Sequence, residues 1–344
     1  MTKTFKYRLE QQTAYEHSGG QMREVSVADF PVSTAMSGVS LRLAPGTLRE
    51  LHWHTNASEW GYVVSGSCRT TILHPDGTTY IDNFNSGDVW YFPKGYGHSI
   101  QGMGPDECHI IQIMNNGSFT EKHTFSITDF IAQTPIELVA QNLGISIEDA
   151  QRLPKKESYF AYRQVPDDST LDATTRSATG LTSMHRYPLM AQDPKRVPGG
   201  GTERVASARL FPISTNMTGA IIEIQPGALR EMHWHPNTDE WQYYISGTAR
   251  MAVFLGQGEL IEDQFEAGDV GYVPEGAGHY IYNNGTEVCR ILVGFNHGQH
   301  ETIDLTKWIS STPNDVLATN LEINREQVSQ LPQRHWFIAP AALQ

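Results

Sequence analysis

Leu51-His52-Trp53-His54, followed by Glu59 and much later by His98, is the stretch that decides how this chain is read. The chain carries it twice. Met232-His233-Trp234-His235, then Glu240, then His279, repeats it with every spacing preserved. In each copy two histidines stand two apart, a glutamate follows five residues later, and a third histidine lies 46 residues beyond the first. Three imidazoles and a carboxylate at fixed spacing make a ligand set for a transition metal. The candidate ligands are His52, His54, Glu59 and His98 in one set, and His233, His235, Glu240 and His279 in the other. Such a set suits manganese, iron, nickel, copper or zinc. It leaves two positions open on an octahedral ion for water, a carboxylate or dioxygen.

Outward from the ligands the repeat continues. Pro226-Gly227 answers Pro45-Gly46, Arg230 answers Arg49, Trp241 answers Trp60, and Gly268-Asp269 answers Gly87-Asp88, all at an offset of 181. Self-similarity at one fixed offset is a tandem duplication. Short β-rich segments with turn residues between them, such as Gly38–Leu43, Trp60–Val64 and Asp88–Pro93, predict an all-β sandwich or barrel. His52 and His54 share parity on a strand and face one side. Glu59 and His98 then arrive from two further strands, so three neighbouring strands converge on one interior point. Thr134-Pro135-Ile136-Glu137 predicts an N-cap, a first-turn proline and a capping box, with Gly144 ending that helix and Ser146 starting another. Thr312-Pro313-Asn314-Asp315 repeats the capped helix. The expected architecture is two β-barrels, each followed by a short helical segment, divided at residues 1–160 and 161–344. Residues 164–204 read as a polar linker. Pro198-Gly199-Gly200-Gly201 lacks a following Gly-Lys-Ser/Thr and is not a phosphate loop.

A length of 344 residues suits two domains, and 39% hydrophobic with 18% charged residues describes a globular protein. No apolar run reaches the ~18–20 residues that span a bilayer. Met1-Thr2-Lys3-Thr4-Phe5-Lys6 has no apolar signal core, so a cytoplasmic location is expected. Cys68, Cys108 and Cys289 are scattered and form no CxxC pair, which predicts free structural thiols in a reducing compartment. The net charge of −13 argues against nucleic acid and anionic membrane surfaces as partners. It also demands local cations if the substrate is a small anion.

Arg49 and Arg230, three residues before the first histidine of each set, are candidate anion clamps. Strict strand alternation puts Arg49 with Leu51 and Trp53, away from His52. It reaches the site only if the strand bulges after Gly46. Trp53 and Trp234 should face outward and pack against another sheet or subunit. One break in register separates the copies. The offset holds at 181 through Gly117 and Gly298 but is 178 at Thr124 and Thr302, so Ser118–His123 in the first copy stands against only Gln299–Glu301 in the second. Loops are where insertions and function concentrate. The 118–123 loop is therefore read as a lid, with Glu121 as the carboxyl group that supplies or removes a proton beside the metal.

The pattern Gly46-x5-His52-x-His54-x4-Glu59-x6-Gly66, then Gly87-x5-Pro93-x-Gly95-x2-His98, resembles the paired cupin signature. The second copy matches it from Gly227 to His279. Over residues 20 to 335 the chain resembles a bicupin of the oxalate decarboxylase family, with tandem cupin barrels of the double-stranded β-helix or jelly-roll type. The resemblance implies manganese in both barrels, two ions per chain, with oxalate clamped by Arg49 at the first. It implies dioxygen as a redox partner, Glu121 as the proton donor, formate and CO2 as products, and a trimer or hexamer. Two departures stand out. The lid reads Thr120-Glu121-Lys122-His123 where the best-known decarboxylases carry a Ser-Glu-Asn-Ser tetrad, so an oxalate oxidase making CO2 and hydrogen peroxide is the alternative on this scaffold. Val293 stands where some members carry a carboxylate near the second metal. A metal-storage or structural bicupin without catalysis is the alternative of another class.

Overall fold

Short strands assemble into four antiparallel sheets, two for each copy of the repeat. The computed structural model describes residues 4–165 and 184–341, apart from the side chain of His123. In the first barrel a seven-stranded sheet runs Arg186–Tyr187, Val89–Phe92, Glu59–Ser65, Cys108–Met114, Ser37–Leu43, Gly20–Val25, Tyr15–His17. A six-stranded sheet faces it, in the order Phe125–Ser126, Thr47–Trp53, Gly97–Gly102, Ser67–Leu73, Thr79–Asn85, with Phe160–Tyr162 also paired to Thr47–Trp53. The second barrel repeats this order. Leu41, Val63, Phe84, Phe92, Ile100 and Ile110 fill the first barrel's interior. Among the described residues no helix is long and apolar enough to cross a membrane.

The barrels exchange edge strands. Lys6–Arg8 pairs with Asp269–Val273 of the second barrel, and Arg186–Tyr187 pairs with Val89–Phe92 of the first. A shared core also lies between the two seven-stranded sheets. Trp60, Tyr62, Ile111 and Ile113 pack there with Trp241, Tyr243 and Leu292. Each tryptophan lies over a glycine of the opposite copy. A Cβ on Gly219 would sit 2.0 Å from the Trp60 ring, and one on Gly38 would sit 2.2 Å from the Trp241 ring.

Three details differ from expectation. Residues 184–204 are not a plain linker: Arg186–Tyr187 joins the first barrel, and Lys195–Val197 pairs with Gly201–Ala206 as a hairpin whose turn is the glycine run. Residues 166–183 lie outside the described part of the chain. The helix Ile136–Leu143 has Pro135 itself at the N-cap with no capping box. The Thr134 hydroxyl donates to the Phe130 carbonyl of the preceding helix and so does not cap the next one. Gly144 ends the helix in the left-handed conformation, and the Ser146 side chain caps the following turn, both as read. Trp53 does face outward, but it packs against Phe125 and Phe130 of its own helical segment, as Trp234 does against Trp308.

Candidate metal centres

The strand Thr47–Trp53 carries both the candidate clamp Arg49 and the first candidate ligand His52, and its backbone solves the parity problem. His52 lies opposite His98, and Arg49 opposite Ile100, so three residues on one strand span two on its partner. That extra residue is a β-bulge, which shifts alternation by one. Arg49 and His52 both point inward, each 1% exposed, while Leu51 is pushed out to 44%. The second barrel has the same bulge between Arg230, opposite Ile281, and His233, opposite His279. Glu59 opens the strand Glu59–Ser65, which belongs to the facing sheet. Three neighbouring strands were expected. Instead, barrel closure brings a strand of one sheet to two strands of the other.

In the first barrel the rings of His52, His54 and His98 lie 4.3–5.1 Å apart between centroids. Glu59 Oε2 is 3.4 Å from His98 Nε2. Backbone carbonyls set the tautomers: His52 Nδ1 is 2.7 Å from the Glu50 carbonyl and His98 Nδ1 is 3.0 Å from that of Tyr96. Donation there leaves each Nε2 with a lone pair aimed inward. Glu59 Oε1 accepts from Trp90 Nε1 and Gln112 Nε2, both at 2.7 Å, which turns Oε2 toward the histidines. The Nε2 atoms of all three histidines and Glu59 Oε2 are buried without a hydrogen-bond partner. A single orphan of this kind costs ~1–3 kcal/mol, and a cation bound among the four would satisfy them together. The donor set therefore fits a divalent metal ion. Burial, then neighbouring positive charge, holds His52 well below its ordinary value and His54 at about 3. Burial pushes Glu59 up, but its polar neighbours, the close His98 foremost, outweigh it and hold the carboxyl at about 2. Neutral imidazoles with an ionised carboxylate are the protonation states a metal ligand needs.

Glu121 sits between this cluster and the clamp. It is 2% exposed. Its Oε2 accepts from Arg49 Nη2 at 2.9 Å and Nε at 3.3 Å, and from the Tyr159 hydroxyl at 3.3 Å. Its Oε1 has no hydrogen-bond partner and lies 3.5 Å from His54 Nε2. Arg49 also donates to Thr124 Oγ1 at 2.7 Å, and its guanidinium lies 3.8 Å over the Tyr159 ring. The loop 118–123 is pinned from the other side by Glu24, 8% exposed, which accepts from Thr120 Oγ1, the Glu121 amide and Lys122 Nζ.

Comparison with known proteins places this geometry. The cupin family model matches residues 7–151 and 189–329. The oxalate decarboxylase OxdC of Bacillus subtilis is 39% identical over 308 residues, covering 90% of this chain and 79% of that protein. A probable oxalate decarboxylase of Arthroderma benhamiae is 33% identical over 331 residues, covering 93% and 79%. A solved structure of the Bacillus subtilis oxalate decarboxylase, studied for its Mn(II) centres, superimposes with a TM-score of 0.92 at 35% identity, covering 99% of this chain and 89% of that one. The chain is an enzyme of the oxalate decarboxylase family of bicupins.

The second centre of this bicupin repeats the ligands and changes their surroundings. All four candidate ligand atoms of His233, His235, Glu240 and His279 lie within 4.8 Å of one another. Glu240 Oε2 is 2.8 Å from His235 Nε2 and 3.2 Å from His279 Nε2. Its Oε1 accepts from Gln242 at 2.6 Å, since Val293 stands where the first copy has Gln112. Burial holds His233 well below its ordinary value, while charge and hydrogen bonds from His279 and His235 outweigh burial and hold Glu240 low. Among the described residues no loop carboxylate takes the place of Glu121. His300, at the register position of Phe119, stacks on Phe295 at 4.1 Å.

Several residues of the site escaped sequence reading. Tyr159 and Glu24 lie 38 and 97 residues from Glu121, and no local pattern ties them to it. A signal for Tyr159 does exist in the repeat. Its counterpart at offset 178 is Phe337, and both adopt a positive φ, 54° and 63°, beside the bulged strand. Only the first copy adds a hydroxyl.

Proposed function

We propose that this bicupin is a manganese-dependent oxalate decarboxylase that converts oxalate to formate and CO2, uses dioxygen as a redox partner, and works in the first barrel beneath the lid 118–123. The observation that carries the reading is Glu121: a buried carboxyl group on the longer loop, held between Arg49 and the ligand cluster. His52, His54, Glu59 and His98 would hold one ion, and His233, His235, Glu240 and His279 a second. When bound, manganese supplies one-electron redox capacity and a Lewis-acidic seat for a carboxylate. The Mn(II) centres of the similar Bacillus subtilis enzyme support that choice of metal.

The remaining work falls to this chain's own side chains. Oxalate is a dianion approaching a protein of net charge −13, and Arg49 supplies the local attraction. A substrate carboxylate competes with Glu121 for the same guanidinium edge and takes over its bonds to Nη2 and Nε. Glu121 is thereby freed beside the substrate while remaining under the lid. The reaction balances as oxalate plus one proton giving formate and CO2: the carbon–carbon bond breaks, and the carbon left behind takes the proton. Glu121, once freed from Arg49, takes that proton from solvent and delivers it to the carbon. The Tyr159 phenol, pushed well above its ordinary value by burial and then by the Glu121 charge, stays a hydrogen-bond donor to Oε2 and orients the carboxyl group. The exposed Phe130 and Trp308 on the two helical segments support a homo-oligomer, a trimer or hexamer, that covers them.

Oxalate turnover with formate and hydrogen peroxide measured together tests the reading. Formate in equal amount to CO2 supports it. Peroxide in place of formate makes the chain an oxalate oxidase, and two bound metals with no turnover make it a non-catalytic bicupin. Glu121→Ala should abolish formate and leave the metal content intact.

A further inference from the structure

Arg230 occupies the position of Arg49, yet its acidic partner differs in kind. Arg49 is held by Glu121, which rides on the lid. Arg230 is held by Asp304, whose carboxylate Oδ1 lies 2.7 Å from Arg230 Nη1. Asp304 belongs to the barrel itself, since its strand Ile303–Asp304 pairs with Leu229–Trp234 and sets Asp304 opposite His233. Its counterpart in the first copy, at offset 178, is Ser126, opposite His52 in the same way.

Ser126 spends its hydroxyl on capping the helix Ile127–Gln133. Asp304 stands at the N-cap of Leu305–Ser311, where an aspartate ordinarily accepts from the helix amides. It makes no capping bond there. Its carboxylate turns inward to Arg230, and Oδ2 is 2.6 Å from His335 Nε2. Glu231 takes over a helix amide, accepting from Thr306 N at 3.1 Å. Burial pushes the Asp304 carboxyl up, but the charge and hydrogen bond of Arg230, then of His335, outweigh it and hold it below its ordinary value. The Phe337 carbonyl accepts from the same Arg230 Nη1 at 2.8 Å, and the Phe337 ring lies 4.3 Å from the guanidinium carbon. A sheet-borne carboxylate has no hinge by which to leave, whereas a lid-borne one does.

We infer that Asp304 is a specificity-determining residue that occupies Arg230 and keeps the second barrel from taking a small carboxylate substrate. Two ligand sets of one design thus differ in what they admit. The inference rests on the reading above for the identity of the substrate, but the lock itself is a property of Arg230 and Asp304.

The test is calorimetric titration of oxalate, without dioxygen, into protein carrying two manganese ions per chain by elemental analysis. Wild type should show one site per chain, lost in Arg49→Ala. Asp304→Ser, which installs the residue of the first barrel, should show two, the added one lost on combination with Arg230→Ala. If Asp304→Ser folds poorly or loses metal, the isosteric and uncharged Asp304→Asn is read in the same way. Two sites in wild type, one of them dependent on Arg230, overturn the inference, as does a single site in both Asp304 variants with metal retained. No oxalate site in any protein would instead remove oxalate from the proposed function. Acetate, a generic carboxylate, then decides the lock on the same proteins: one site gained in the Asp304 variants supports it, and none gained overturns it.

Discussion

Replacing Glu24 by glutamine should unlatch the lid without touching the metal ligands or the clamp. Glu24 lies on the strand Gly20–Val25 and accepts from Thr120 Oγ1 at 2.9 Å, from the Glu121 amide at 2.7 Å and from Lys122 Nζ at 3.0 Å. The Lys122 side chain is 67% exposed, so its ion pair contributes under about 1 kcal/mol. The other two, the amide bond buried and the Thr120 bond partly buried, go to a charged acceptor, each contributing roughly 1.5–3 kcal/mol. Glutamine keeps one accepting oxygen but turns an NH2 group toward the other donor. One bond is lost and the survivor becomes neutral, a net loss of about 2–4 kcal/mol in favour of the open lid. That is roughly a 30- to 700-fold change in the closed-to-open ratio. Hydrogen exchange at the Glu121 amide reads the ratio directly, because that N–H is the one Glu24 holds. Protection should fall at least tens of fold, and the formate yield per oxalate should drop while peroxide rises, because the proton donor no longer stays over the substrate. Unchanged protection together with an unchanged formate yield would refute the latch and leave the bonds of Glu121 to Arg49 and Tyr159 as the closure.

Other perturbations test other parts of the structure. Gly38→Ala drives a methyl group into the Trp241 ring and should destabilise the protein by ~1–3 kcal/mol, read as a lower unfolding midpoint in calorimetry with both metals still bound. His98→Ala should lose about one metal per chain by elemental analysis, with all turnover; turnover surviving the change would move catalysis to the second barrel. His185 donates from Nδ1 to the Tyr91 carbonyl, and burial, which outweighs that bond, holds its value down at about 4. A depressed histidine favours the folded state above its unfolded value and loses that advantage as pH falls. Metal-stripped protein should therefore weaken between about pH 6.5 and 4 by on the order of 3 kcal/mol from this group. In His185→Phe the urea midpoint should depend less on pH across that window, and an unaltered slope would contradict the assignment.

The duplication made most of this legible before any coordinates. Ligand identity and the number of barrels follow from spacings repeated at an offset of 181, and the trailing helices from spacings repeated at 178, because a repeat constrains two places at once. The position of Arg49 did not follow. Strand parity placed it on the wrong face, and a one-residue bulge, invisible in composition, turned it inward. Glu59 was assigned to a neighbouring strand because adjacency along the chain says nothing of which sheet a strand joins. Residues 184–204 read as linker because their edge strands are short and polar. The strand exchange that gives them a place comes from contacts far apart along the chain.

What separates the copies is clearest where they solve the same problem by different residues. Each metal-facing glutamate needs a donor on its outer oxygen. The first barrel uses Trp90, lying over Gly61, together with Gln112. At offset 181 those positions are Gly271, Gln242 and Val293, and Gln242 alone now supplies the bond. Bulk removed at one position is restored at its neighbour: a Cβ on Gly61 would meet Trp90 at 2.1 Å, and one on Gly271 would meet the Gln242 oxygen at 2.7 Å. Exchanges that preserve one function while altering every residue behind it indicate that carboxylate orientation matters in both barrels. The residues around the arginines show no such compensation. Among the described residues of the second copy nothing stands in for Glu121, Phe337 lacks the Tyr159 hydroxyl, and Ser126 is answered by an aspartate that takes the arginine for itself. The candidate ligand set is thus duplicated in this chain, whereas the arginine beside it is held by a loop carboxylate in one barrel and by a sheet carboxylate in the other.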